Sequence, residues 1–152
     1  LLYIPTANQA YSFMPISFNT MNFLEFATDK YARFYMQHFF DGYLFNRVPL
    51  LRKLKLKEVI SFKTVYGGLD DDNNPNLNPE LIQYNRLDSG EALTDGFEKD
   101  KPFMEYGVGV YNIFRFFRVD VVKRMNYLDR PNVEELFGVK GLGLRARLKV
   151  EF

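Results

Sequence analysis

Towards its end the chain alternates without a break. Leu142, Leu144, Ala146, Leu148, Val150 and Phe152 are apolar, and Gly143, Arg145, Arg147, Lys149 and Glu151 fall between them. A period of two puts the first set on one face of a strand and the second on the other. Residues 142–152, extended at ~3.3 Å each, span roughly 36 Å. A tilt of ~45° projects this onto about 25 Å, the height of the apolar band of a transmembrane barrel. A terminal aromatic residue, Phe152, is the expected close of such a strand in a bacterial outer membrane. A strand of a soluble sandwich, its charged side meeting water, carries the same alternation, so the other elements must discriminate.

Residues 117–128 repeat the pattern. Phe117, Val119, Val121, Met125 and Tyr127 share a face with Lys123, against Arg118, Asp120, Val122, Arg124 and Asn126. Lysine at a bilayer midplane costs ~2–4 kcal/mol and ~0–1 near an interface, so Lys123 is expected to snorkel or to meet a neighbouring protein. Residues 103–112 give a shorter strand, with Tyr106, Val108 and Val110 opposite Glu105, Gly107, Gly109 and Tyr111. Its glycines either leave room for a bulky neighbour or mark a bulge. In residues 56–69, Ile60, Phe62, Thr64 and Tyr66 oppose Lys57, Val59, Ser61, Lys63 and Val65. Residues 29–40 have aromatics on both faces, and there a helix fits nearly as well as a strand.

The connections alternate in length. Residues 70–102 are long and polar, 129–140 intermediate and 113–116 short, the habit of barrels with long outer loops and tight periplasmic turns. Residues 41–55 are long, apolar and basic on the side where a tight turn belongs, which predicts a short amphipathic helix at the inner interface. Residues 1–28, with Pro5 and Pro15, read as a long loop. The expected organisation is therefore all-β: antiparallel strands from the C-terminal portion of a transmembrane β-barrel, spanning residues 1–152, with about five strands in residues 29–152. Single-chain barrels begin at eight strands, so the chain is expected to be part of a larger one. The missing initial Met and signal pattern agree with an excerpt.

Composition sharpens this picture. The 152 residues include sixteen Phe and ten Tyr, 17% aromatic with no Trp, suited to interfacial girdles. A net charge of +1 argues against a nucleic-acid partner. With no run of eighteen apolar residues, strands are the remaining way to cross a bilayer. No cysteine and a single histidine, His38, remove thiolate chemistry, a catalytic triad and a multi-histidine metal centre. Asp70-Asp71-Asp72-Asn73-Asn74 lacks the glycine and glutamate spacing of a calcium loop and reads as solvated surface. Gly107-Val108-Gly109 lies inside a strand and is no phosphate loop. No enzyme activity, cofactor or metal is expected.

The faces supply the candidate functional residues. Leu142, Leu144, Leu148, Val150, Phe152, Val119, Val121, Tyr106 and Val108 are expected to face lipid. Arg145, Arg147, Lys149, Arg118, Asp120, Arg124 and Glu105 are expected to face the lumen. There, cross-strand pairs of opposite sign contribute ~0.2–1 kcal/mol each and could hold the wall, bind an inserted loop or line a pore.

Several stretches carry a family resemblance. They are Asn19-Thr20-Met21-Asn22-Phe23-Leu24-Glu25-Phe26 with Thr28-Asp29-Lys30-Tyr31, His38-Phe39-Phe40-Asp41-Gly42, Val65-Tyr66-Gly67-Gly68-Leu69 and Asn126-Tyr127-Leu128-Asp129. The most specific is Phe45-Asn46-Arg47-Val48-Pro49-Leu50-Leu51-Arg52-Lys53-Leu54. Together they resemble the C-terminal barrel of a Bacteroidota family of uncharacterised outer-membrane proteins that carry an N-terminal carboxypeptidase-regulatory-like domain. That barrel is similar to the BamA/TamA insertase superfamily. The resemblance implies sixteen strands in the full protein, with residues 142–152 as one lip of an opening seam. The superfamily's Arg-Gly-Phe/Tyr loop tip is absent. Residues 4–28 stand in that loop's place, and Thr6-Ala7-Asn8-Gln9-Ala10-Tyr11 is a different motif.

The expected role is assembly or translocation of envelope proteins in the bacterial outer membrane, without covalent chemistry. Its partners are outer-membrane lipid and other outer-membrane or periplasmic proteins. A transporter or channel, TonB-dependent or passive, and a structural subunit of an outer-membrane complex are the alternatives. A soluble lipid-binding barrel fits less well, because the chain lacks the Trp of the lipocalin-type start motif.

Overall fold

Four long strands and a shorter last one make a single antiparallel sheet. A computed structural model describes residue 3 and residues 17–148. The strands are β1 (Lys30–Phe39), β2 (Lys57–Gly68), β3 (Phe103–Ile113), β4 (Phe117–Arg124) and, last in the sheet, β7 (Leu142–Leu148). A separate two-stranded hairpin of β5 (Glu135–Leu136) and β6 (Val139–Lys140) lies within the connection before β7. The sheet order β1-β2-β3-β4-β7 makes every neighbour a sequence neighbour apart from that small hairpin. The chain is all-β and antiparallel, as its alternation predicts.

The register gathers like residues into rows. On one face Met36, Phe62, Tyr106, Lys123 and Leu142 lie side by side, and His38, Ile60, Val108, Val121 and Leu144 form the next row. Because the period is two, this register puts every intervening residue on the opposite face. Tyr35, Lys63, Glu105 and Arg124 form one row there, and Phe39, Val59, Gly109, Asp120 and Arg145 another.

The segment β1 is a strand although helical spacing fits its sequence. Alternation satisfies both faces at once: Phe34 and Met36 join the apolar rows, while Tyr35 packs against the buried aromatics. The strand β4 ends earlier than alternation predicts. Met125 stays exposed, but Tyr127 takes φ 55° and turns inward to 2% exposure instead of extending the apolar row. The Lys123 ammonium donates to the Lys140 carbonyl in the connection before β7.

Two ends of the sheet differ. At one end lie residues 17–28, the long connection 69–102 and the connection 125–141. Residues 17–28 run as a strap across the sheet, and Phe18, Met21 and Phe26 pack with Val65, Phe97, Phe103 and Tyr127 into the hydrophobic cluster. Phe26 stacks on Phe97 at 4.5 Å and meets Tyr127 edge-on at 4.9 Å. Gly67 permits this closure, since a Cβ there would sit 2.6 Å from the Phe97 ring. At the other end are the tight β3–β4 turn and the β1–β2 link. The link contains a single 3-10 turn (Phe45–Arg47) and α1 (Pro49–Leu54). Pro49 starts α1 where a missing N–H costs nothing, and Lys55 ends it in the left-handed region at φ 52°. The Glu58 carboxylate accepts the N–H groups of Gly42, at 3.0 Å, and Phe45, which ties the link to β2.

Candidate functional site

The two faces of the sheet are inverted relative to a soluble domain. Val108 is 56% exposed and Leu144 52%, while Arg124 is fully covered and Glu105 is 1% exposed. Phe34, Met36, Tyr66, Tyr106, Val121 and Leu148 extend the uncovered apolar face across all five strands. Removing apolar surface from water is worth ~25 cal/mol per Å2, so a sheet in water buries this face and solvates the charged one. Here the strap lies over the charges.

The covered face is knitted to the strap by a continuous polar network. Both Glu105 oxygens accept from the strap: the Asn19 N–H at 2.7 and 2.9 Å, the Thr20 N–H at 2.8 Å and the Thr20 hydroxyl at 2.7 Å. Lys63, 3.7 Å from Glu105, donates to the Ser17 carbonyl. Arg124 grips Glu25 through two guanidinium nitrogens, at 3.0 and 2.5 Å, and lies 5.0 Å over the Phe103 ring. On β7, Arg145 donates to the Asn19 carbonyl at 3.0 and 2.6 Å and pairs with Glu134. Arg147 donates to the Asn19 side-chain oxygen at 2.9 Å.

Asp120 carries the rest. Arg118 clasps it through Nε and Nη2 at 2.7–3.0 Å, and Arg147 approaches it at 3.5 Å. Arg118 and Arg147 are direct cross-strand partners, so without this carboxylate between them two like charges would face each other. The glycines of β3 make the space. A Cβ on Gly109 would collide with the Asp120 carboxylate, and one on Gly107 would meet Ser61 Oγ at 2.7 Å. The bulge lies further on, between Val110 and Ile113.

The expected lumen set is thus brought together: Glu105, Arg118, Asp120, Arg124, Arg145 and Arg147 share one face and one network. Of the expected lipid set, Val108, Val121, Tyr106, Leu144 and Leu148 are exposed on the other face, with Val119 and Leu142 half-buried among them. Lys149, Val150 and Phe152 lie outside the described residues. The network also uses Lys63, Asn19, Thr20, Glu25 and Glu134, none of them in the expected lumen set. Lys63 shares the parity of Ser61 and Val65 and could have been found by it. The strap residues belong to no periodic element and carry no such signal.

Other candidates stand apart. His38 lies exposed on β1, its ring 4.6 Å from that of Phe40. Asp70 pairs with Lys30 at 2.5 Å. The Asn73 amide beside Asp29 holds that carboxyl below its usual range. Burial pushes the Tyr127 hydroxyl up to about 12, and it donates to the Lys101 carbonyl at 2.5 Å. Among the described residues no group of three or more His, Cys, Asp or Glu side chains is placed to hold a metal ion. None of their helices is long and apolar enough to cross a membrane, which leaves crossing by strands open.

Residues 6–72 match the model of the C-terminal domain of a family of unknown function (DUF5686). No curated protein and no solved structure matches the chain.

Proposed function

We propose that the chain is a wall segment of a bacterial outer-membrane β-barrel whose protein assists the assembly or translocation of envelope proteins, without covalent chemistry. The inverted sheet carries this reading. An apolar face left bare over five strands is suited to lipid, and a charged face covered by a strap is suited to a lumen. Leu142, Leu144, Leu148, Val119, Val121, Tyr106 and Val108 would meet lipid. The clustered charges would hold the strap inside the wall.

Five strands do not close a transmembrane barrel, so this reading requires further strands beyond those described. The resemblance to the BamA/TamA superfamily would set residues 4–28 in the place of the loop that folds into the lumen, and the strap at residues 17–28 is part of that stretch. It supports an assembly role over an open passive channel, because the strap fills the polar face that a pore would leave to water.

The first experiment is a detergent gel of the full protein, boiled and unboiled. A folded barrel resists the detergent and shifts on boiling; absence of a shift together with release into detergent-free buffer would place the strands in a soluble protein. Within the shifted protein, Leu144→Arg, beside Val121 and away from the rim of the bare face, is expected to block assembly at a cost of ~2–4 kcal/mol. Arg147→Gln is expected to cost less than that, because the charge-assisted hydrogen bond to Asn19 and the 3.5 Å ion pair with Asp120 are given up while the like charge facing Arg118 is also removed. Equal tolerance of the two would overturn the assignment of faces.

A further inference from the structure

At the tight-turn end, α1 and the β3–β4 turn frame a cleft of about 700 Å3, with Lys53, Lys55 and Arg115 standing among Leu54, Ile113 and Phe114. No carboxylate lines it. Among the described residues none of the three cations has an ion-pair partner, unlike Arg118, Arg124, Arg145 and Arg147 of the covered face, each beside an acid. The cleft is built rather than incidental. Asn112 Nδ2 donates to the Lys55 carbonyl at 2.7 Å and fixes the end of α1 against β3. Lys55, Asn112, Phe114 and Arg115 all take positive φ, 52°, 65°, 50° and 77°. Lys55 is the left-handed end of α1, and Phe114 and Arg115 are the central pair of a tight hairpin turn, so the backbone fixes where both cations stand.

The apolar walls argue for one occupant. Phe114 is 80% exposed and Leu54 58%. Ile113 pairs with Phe117, and Phe117 with Leu148, so the cleft opens directly onto the bottom row of the bare apolar face. A free phosphate would need the cations alone. A lipid needs cations at the head and an apolar path for its chains, and both are present side by side.

We propose that this cleft binds the phosphate headgroup of an anionic phospholipid, through Lys53, Lys55 and Arg115, with the acyl chains running along Phe117 and Leu148. The inference rests on the barrel reading and adds a specific lipid site at the rim of its wall. A basic side chain near an anionic lipid surface, backed by apolar neighbours, is the arrangement that retains such lipids.

The test uses the full protein in non-ionic detergent, first checked for the heat-dependent gel shift. Phosphatidylglycerol and phosphatidylcholine with identical chains are titrated in, and the retained lipid is counted by native mass spectrometry. The expected result is retention of phosphatidylglycerol over phosphatidylcholine, reduced roughly tenfold in the Lys53→Gln/Lys55→Gln pair and again in Arg115→Gln, with Lys55→Arg keeping it. Millimolar inorganic phosphate is expected not to displace the lipid. Equal retention of the two lipids, a preference untouched by the substitutions, or displacement by inorganic phosphate each overturns the lipid site while the gel shift leaves the barrel standing. A wild-type protein with no shift removes both.

Discussion

The two faces of this one sheet solve opposite problems. On the bare face Ile60, Val108, Val121 and Leu144 stand in a cross-strand row with little over them. On the covered face Lys63, Glu105 and Arg124 stand in a row under the strap. In a soluble sandwich the first row would be the core and the second the surface. The backbone is indifferent, since a one-residue slip of register would exchange the faces. What assigns them is the strap, which brings Asn19, Thr20 and Glu25 to satisfy charges that could not otherwise be buried.

That contrast can be broken most severely from the covered side. Arg124→Met leaves the Glu25 carboxylate buried without its cation, a loss of ~3–5 kcal/mol. The folded, heat-shifted band should then disappear at markedly lower urea than in the wild type. A variant as resistant as the parent would mean that the pair carries no weight.

A subtler substitution reverses the usual logic of cores. Gly109→Val adds apolar volume to a buried position, which in an ordinary core could fill space. Here it must displace the Asp120 carboxylate from Arg118 and Arg147, and the expected cost is ~1–3 kcal/mol in the same urea series. A stabilised variant would reveal an unfilled apolar cavity instead of a charged network.

The smallest effect belongs to the aromatic cluster that seals the strap. The Tyr127 hydroxyl, near 10 when unfolded, is held at about 12 by burial in the folded chain. The folded state therefore keeps its proton longer than the unfolded one. Its stabilising share is full below pH 10 and declines as pH rises through 12. Tyr127→Phe should lose ~1 kcal/mol at neutral pH, through the bonds to Lys101 and Glu98, and should flatten the alkaline decline. Identical alkaline slopes in the two proteins would remove Tyr127 from the account.

Alternation made both faces legible from sequence, because in β4 and β7 the chemistry changes at every residue. The same rule misled at Tyr127, whose parity fits the apolar row. A positive φ just beyond Arg124 breaks the count, and no local pattern announces it. The short β5–β6 hairpin was also hidden within a connection of mixed composition. The strap was the least legible part, for Asn19 and Glu25 gain their meaning from residues far along the chain. Periodicity describes elements, and the strap is not one.

Its distance along the chain has a consequence of its own. Asn19 and Arg147 are 128 positions apart, and Asn19 and Glu105 are 86 apart. Contacts so distant in sequence form late, because the intervening chain must lose its freedom before they can form. Until β7 is in place, the Asn19 carbonyl lacks the Arg145 guanidinium, and the interior has acceptors waiting for donors not yet delivered. Completion of the covered face is thus tied to the arrival of β7. The strap works as a latch that closes only on a finished sheet.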